Sequence, residues 1–134
     1  MEKLEWSPQM LLGIASMDAE HHAFVDQIAQ LAELPDEAFG PALYALIKTM
    51  ERDFHGEETV MEEIGFPALL SHREQHARVL SALHHVVPGV MRGDFAAARK
   101  AIELLPQWFL FHLSTMDTAL AAAIDIAGVV EPAE

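Results

Sequence analysis

Asp53 and Glu57 lie four residues apart, and so do His72 and His76, so each pair projects from one face of a helix at neighbouring turns. Two helices built on these pairs aim four donors into one space. The chemistry such donors offer is metal binding, because carboxylate oxygens and imidazole nitrogens suit iron, manganese or zinc. The chain has no cysteine, which excludes disulfides and thiolate ligands. Any metal must therefore be held by nitrogen and oxygen.

The elements that position these donors follow from hydrophobic periodicity. Gly65-Phe66-Pro67 divides the two pairs, with Gly suited to a helix C-terminal cap and Pro to the start of the next helix. Met17, His21, Phe24, Ile28 and Leu31 predict a helix over about 17–34, capped by Ser16 or Asp18. Leu43, Ile47, Met50, Phe54, Met61 and Ile64 predict a second over about 40–64, with Pro41 in its first turn. A third spans about 68–87, ended by Pro88-Gly89. A fourth spans about 94–127 after the Gly93-Asp94 turn, and Pro106 inside it should kink it. Residues 1–16 show no sustained period and read as an irregular arm whose Trp6, Leu11, Leu12 and Ile14 pack on the body. The fold class is all-α, a single-domain up-down-up-down four-helix bundle over 1–134.

Laid on these stripes, the polar residues that face inward are His21, Asp53, Glu57, His72, His76 and His112, with Asp117 one turn further on. Seven donors exceed the coordination of one ordinary ion, whereas two metals bridged by carboxylates would use them all. Asp117 is less well aligned, since five residues of α-helix turn it about 140° from His112. A bridging role accommodates that offset. A buried polar cluster of this size without a metal would be hard to satisfy. His22, His55, His84 and His85 fall off the inward stripe and read as surface residues.

A chain of 134 residues is long enough to bury one core. Its 21 acids against 8 bases give a formal charge of −13, which leaves no basic stripe for nucleic acid. No apolar run reads as long enough to span a bilayer, and the start MEKLEWSPQM lacks the basic and apolar regions of a signal peptide. The expectation is a cytoplasmic protein without nucleic-acid or membrane partners.

Three segments resemble the hemerythrin family, in particular the single-domain bacteriohemerythrins. Trp6, Gly13-Ile14 and Met17-Asp18-Ala19-Glu20-His21 are similar to the family's W…GI…IDxQH opening. Glu57-Glu58-Thr59-Val60-Met61, Phe66-Pro67, His72 and His76 are similar to its EExxM…YPxxxxHxxxH segment, and Trp108 to His112 with Asp117 to its WLxxHI…D ending. The resemblance implies a non-haem centre of two iron ions, bridged by a Glu, an Asp and a solvent oxygen, that binds O2 reversibly at the iron with an open position. One iron would take His72, His76 and His112, with Glu57 and Asp117 bridging. The second would take His21 and the residue four before Glu57.

In the family that residue is the His of HFxxEE; in this chain it is Asp53. Three outcomes are open: Asp53 ligates as a carboxylate, water fills the position, or a helix distortion brings in His55. An anionic donor favours the ferric state over neutral imidazole, so faster autoxidation is expected. The family's positions suggest Phe24, Phe54, Trp108 and Phe109 as the lining of an O2 pocket, although core packing explains the same aromatics. The expected function is binding of O2, with NO as a second diatomic, beside an unknown redox partner. The alternatives are an oxidase or peroxidase consuming O2 or peroxide, and a bundle whose metal site is partly lost.

Overall fold

The computed structural model describes residues 4–128. It holds a 3-10 turn at Pro8–Met10 and helices α1 (Ala15–Ala32), α2 (Asp36–Glu63), α3 (Leu69–Met91), α4 (Ala96–His112) and α5 (Thr118–Ala127). A π-helical turn, Leu113–Asp117, joins the last two without a break. α2 packs on α3, α3 on α4, and α1 on both α4 and α2, so the long helices close into the four-helix bundle that the periodicity predicts.

Three boundaries differ from those read in the sequence. α2 starts at Asp36, not near Phe39-Gly40, because Asp36 and Glu37 place acids in the first turn, where free amides favour them. α3 continues through Pro88 to Met91, beyond the expected end at Val87. Pro88 is exposed, so water can serve the carbonyl that it leaves free one turn back. Neither Ser16 nor Asp18 caps α1; Ile14 holds that position, and the Asp18 carboxylate instead accepts from the backbone N–H of Leu12 at 2.7 Å and Gly13 at 3.1 Å. The arm is thereby tied to the first turn of α1. Trp6 stacks on His22 at 4.8 Å between ring centroids, while Leu11 faces solvent, contrary to expectation.

The α2–α3 turn is built on Gly65, whose φ of +64° suits glycine. Phe66 N–H donates to Met61 and Gly65 N–H to Glu62, which satisfies carbonyls at the end of α2. Phe66 and Met61 are then buried in one apolar cluster. Pro106 sits inside α4 as expected, and the helix runs through it to His112.

The buried apolar residues form two clusters with a polar layer between them. One contains Phe24, Phe54, Val79 and Phe109; the other contains Met17, Met61 and Leu120. Along each helix the polar residue falls between the two, His21 between Met17 and Phe24, Glu57 between Phe54 and Met61. Apolar side chains therefore close both ends of the layer. They raise the cost of any charge in it that lacks a partner.

The continuous helix Ala96–Ala127 is long and apolar enough to cross a membrane, with a mean hydropathy of 1.3 over its best window. This corrects the sequence reading that no stretch meets the length. A core helix of a bundle meets the same criteria, and this one carries buried His112 and Asp117.

Candidate metal centre

Six of the seven inward-facing donors lie together: His21, Glu57, His72, His76, His112 and Asp117 are all buried, none more than 8% exposed. The two acids divide their oxygens between two groups of imidazoles. Glu57 Oε1 lies 3.4 Å from His72 Nε2 and 3.3 Å from His76 Nε2, while its Oε2 lies 4.0 Å from His21 Nε2. Asp117 Oδ1 lies 3.2 Å from the Nε2 atoms of both His72 and His112, and its Oδ2 lies 3.3 Å from His21 Nε2. Two sets of donor atoms, each within 4.8 Å of one another, result: Glu57, His72, His76 and His112; and His21, Glu57 and Asp117.

The π-helical turn explains how Asp117 reaches the cluster. In a regular α-helix it would lie about 140° around from His112, but a π turn makes i→i+5 contacts and returns it to the same face. The offset seen in the sequence is absorbed by the backbone.

Neighbouring residues fix the rings. His76 Nδ1 pairs with Glu58 Oε2 at 2.9 Å, and Arg73 holds that carboxylate through Nε at 3.2 Å. His112 Nδ1 pairs with Gln75 Oε1 at 2.9 Å. Each ring donates Nδ1–H to its partner, so each Nε2 presents its lone pair to the cluster. Phe54 stacks on His76 at 3.8 Å and Trp108 on His112 at 4.6 Å, which restricts their rotation. The roles of Glu58 and Gln75 are not marked in the sequence, because each orients a histidine on another helix. The only local sign was their position beside Glu57 and His76.

Inside this layer the Nε2 atoms of His72, His76 and His112, Glu57 Oε1 and Asp117 Oδ1 have no hydrogen-bond partner among the described residues. Buried polar atoms are rarely left so. These are the atoms that would coordinate a cation, and the mixed imidazole and carboxylate set fits an ion such as iron. Among the protein's own charges, burial opposes a charged His72, but Asp117 and Glu57 outweigh it and lift the ring to about 9. Burial also raises Asp117, yet His112, His21 and His72 hold it well below the usual carboxylate range. Burial and Asp117 push Glu57 up, and the contacts with His72 and His76 bring it below its ordinary value. The acids are anionic and demand positive charge.

Asp53 stands at the rim. Its side chain is 12% exposed, and its Oδ1 accepts from Arg52 Nε at 3.2 Å. Burial keeps its carboxyl above the ordinary value. His55, four residues before the exposed Thr59, faces solvent from an undistorted stretch of α2, so the structure does not bring it to the cluster. His22, His84 and His85 are exposed as well. A cavity of about 20 Å³ lies on the His21 side. Phe24, Phe54, Trp108 and Phe109, the four aromatics suggested by the sequence, line it with Met50. Glu20, His21, Asp53, Glu57, His112 and Asp117 supply its polar lining. Glu20 follows no apolar stripe, although it occupies the Gln position of the IDxQH pattern. Burial, then Asp53 and Glu57, push its carboxyl up to about 7.

Fold and site together define a helical bundle with a buried cation-binding cluster. The chain belongs to the family described as the Hemerythrin HHE cation binding domain, whose pattern matches residues 12–124. It is 36% identical over 117 residues to a Bacteriohemerythrin of Ralstonia nicotianae (strain ATCC BAA-1114 / GMI1000), an overlap covering 87% of this chain and 85% of that protein. No solved structure matches. The family resemblance carried by the sequence motifs is borne out.

Proposed function

We propose that the cluster holds two iron ions and that the protein binds O2, or NO, in the cavity beside His21. The observation that carries this reading is the division of Glu57 and Asp117, each with one oxygen toward the three imidazoles and the other toward His21. His72, His76 and His112 would hold one iron, and His21 the second, with Asp53 as its further ligand in place of the family's His. Iron, when bound, supplies the redox chemistry that dioxygen requires. The chain excludes bulk water through its four aromatics, and a cavity of about 20 Å³ accepts a molecule of roughly the size of one water. That volume leaves no room for a large organic substrate.

The enzyme reading keeps one specific support. Glu20 and Asp53 are carboxyls at the cavity wall with raised proton affinity, which is what proton delivery to O2 or peroxide would use. Metal content and the absorption of the anaerobic ferrous protein after O2 addition separate the readings. A band that persists and disappears under vacuum supports binding, whereas rapid conversion to the diferric form with catalytic loss of peroxide supports an oxidase or peroxidase. Iron bound far below two per chain overturns both in favour of a partly lost site.

A further inference from the structure

The two halves of the cluster have different donor chemistry. Three imidazoles converge with one oxygen each of Glu57 and Asp117 on one side. On the other side His21 is the single imidazole, and the remaining oxygens of Glu57 and Asp117 face it. Glu20 and Asp53 line the same small cavity as these three residues. They come from different helices, α1 and α2, so the packing of the bundle and not local spacing puts them on one wall.

Two further observations point to a ligand. His21, Glu57 and Asp117 are more than nine-tenths buried, and their donor atoms lie close enough to share an ion. Glu20, Asp53 and Glu57 also crowd three carboxylates onto the wall of one small cavity, where like charges repel. The basic side chain facing them is Arg52, which is 76% exposed and adds little in water. A cation in the cavity would relieve that repulsion at closer range.

Resting on the proposed two-metal centre, we infer that the His21 side is a carboxylate-rich position that also accepts manganese(II), with Glu20 and Asp53 as its additional oxygen ligands, so that a mixed iron–manganese pair forms in place of two irons when manganese(II) is in excess. Imidazole donors suit iron, while carboxylate donors suit harder ions such as manganese. Asp53 in place of the family's imidazole, with Glu20 in place of its Gln, therefore narrows the preference for iron on this side only. The three-imidazole side keeps its iron.

The test loads metal-free protein anaerobically with two equivalents of iron(II) and an excess of manganese(II), removes free ions by gel filtration, and counts both metals per chain. The expected result is one iron and one manganese, with the sharp six-line resonance of isolated manganese(II) lost through coupling to iron. The E20Q/D53H double variant should take two irons and retain manganese about ten-fold less well or worse. E20Q alone, which keeps the shape of the side chain, should fall between the two. Two irons and no manganese in the unaltered protein overturn the inference and leave the two-iron reading intact. Equal manganese retention in the unaltered protein and E20Q/D53H overturns it also. Fewer than two metals in total, with iron alone or with the mixture, overturns both this inference and the proposed function.

Discussion

The side of the cluster around His72, His76 and His112 and the side around His21 share two carboxylates but are built by different means. On the first, two of the three rings are oriented from outside, by Glu58 with Arg73 and by Gln75, and two are covered by the flat faces of Phe54 and Trp108. On the second, His21 Nδ1 has no hydrogen-bond partner among the described residues, and the surroundings are a small cavity with two carboxyls, Glu20 and Asp53, on its wall besides the shared Glu57 and Asp117. One side is preorganised for a metal through neutral nitrogen donors; the other is left open and charged. Both sit in one polar layer between apolar clusters, so the difference arises from side chains a few ångströms apart and not from separate domains.

The comparison is broken most severely by removing a ring from the first side. His112→Ala should lower iron retention there by more than about 100-fold, measured by competition with a chelator, since losing a ligand exceeds the effect of losing its orienting partner. Retention within a few-fold of the unaltered protein would show that this side is not the tighter one. Glu58→Gln and Gln75→Ala leave every ligand in place and should each cost about 10–100-fold in the same measurement. No loss in either would mean that packing by Phe54 and Trp108 already fixes the rings.

The second side is sharpened by Asp53→His, which restores the imidazole of the family's pattern. Autoxidation of the ferrous protein should slow by about ten-fold, a barrier change of ~1.4 kcal/mol. An unchanged rate would remove Asp53 from control of that side. The smallest effect concerns the metal-free protein. His72 is raised in the folded state from 6.5 to about 9, so its contribution is complete below pH 6.5 and is lost as pH rises through about 9. Glu57 and Asp117 are lowered, so their contributions are present above the ordinary carboxylate range and are lost in acid. The melting temperature of the metal-free protein should thus peak near pH 5–6 and fall by several degrees by pH 9, a loss on the order of 2 kcal/mol. A melting temperature flat over that range would refute the strong coupling of His72 to the two acids.

Much of the first side was legible in the sequence. The pair His72 and His76, and Glu57 within the apolar stripe of α2, depend only on the four-residue repeat of a helix, which holds whatever the helix packs against. Glu20 was not legible, because it follows no apolar stripe and gains meaning only from Asp53 on the neighbouring helix. Boundaries shifted for local reasons: the acids at Asp36 and Glu37 extended α2 backward, and exposure of Pro88 allowed α3 to continue.

By itself the sequence determined four amphipathic helices, the absence of thiolate ligands and a donor set of imidazoles and carboxylates, since residue type and helical period are properties of the chain. Only the tertiary structure decided that a π-helical turn carries Asp117 back into line with His112. It also decided that Glu58 and Gln75 orient rings across helix interfaces, and that Glu20 meets Asp53 at one cavity. These outcomes depend on how each helix is rotated about its axis against its neighbours. That rotation is set by packing of the whole bundle, and no single stretch of sequence contains it.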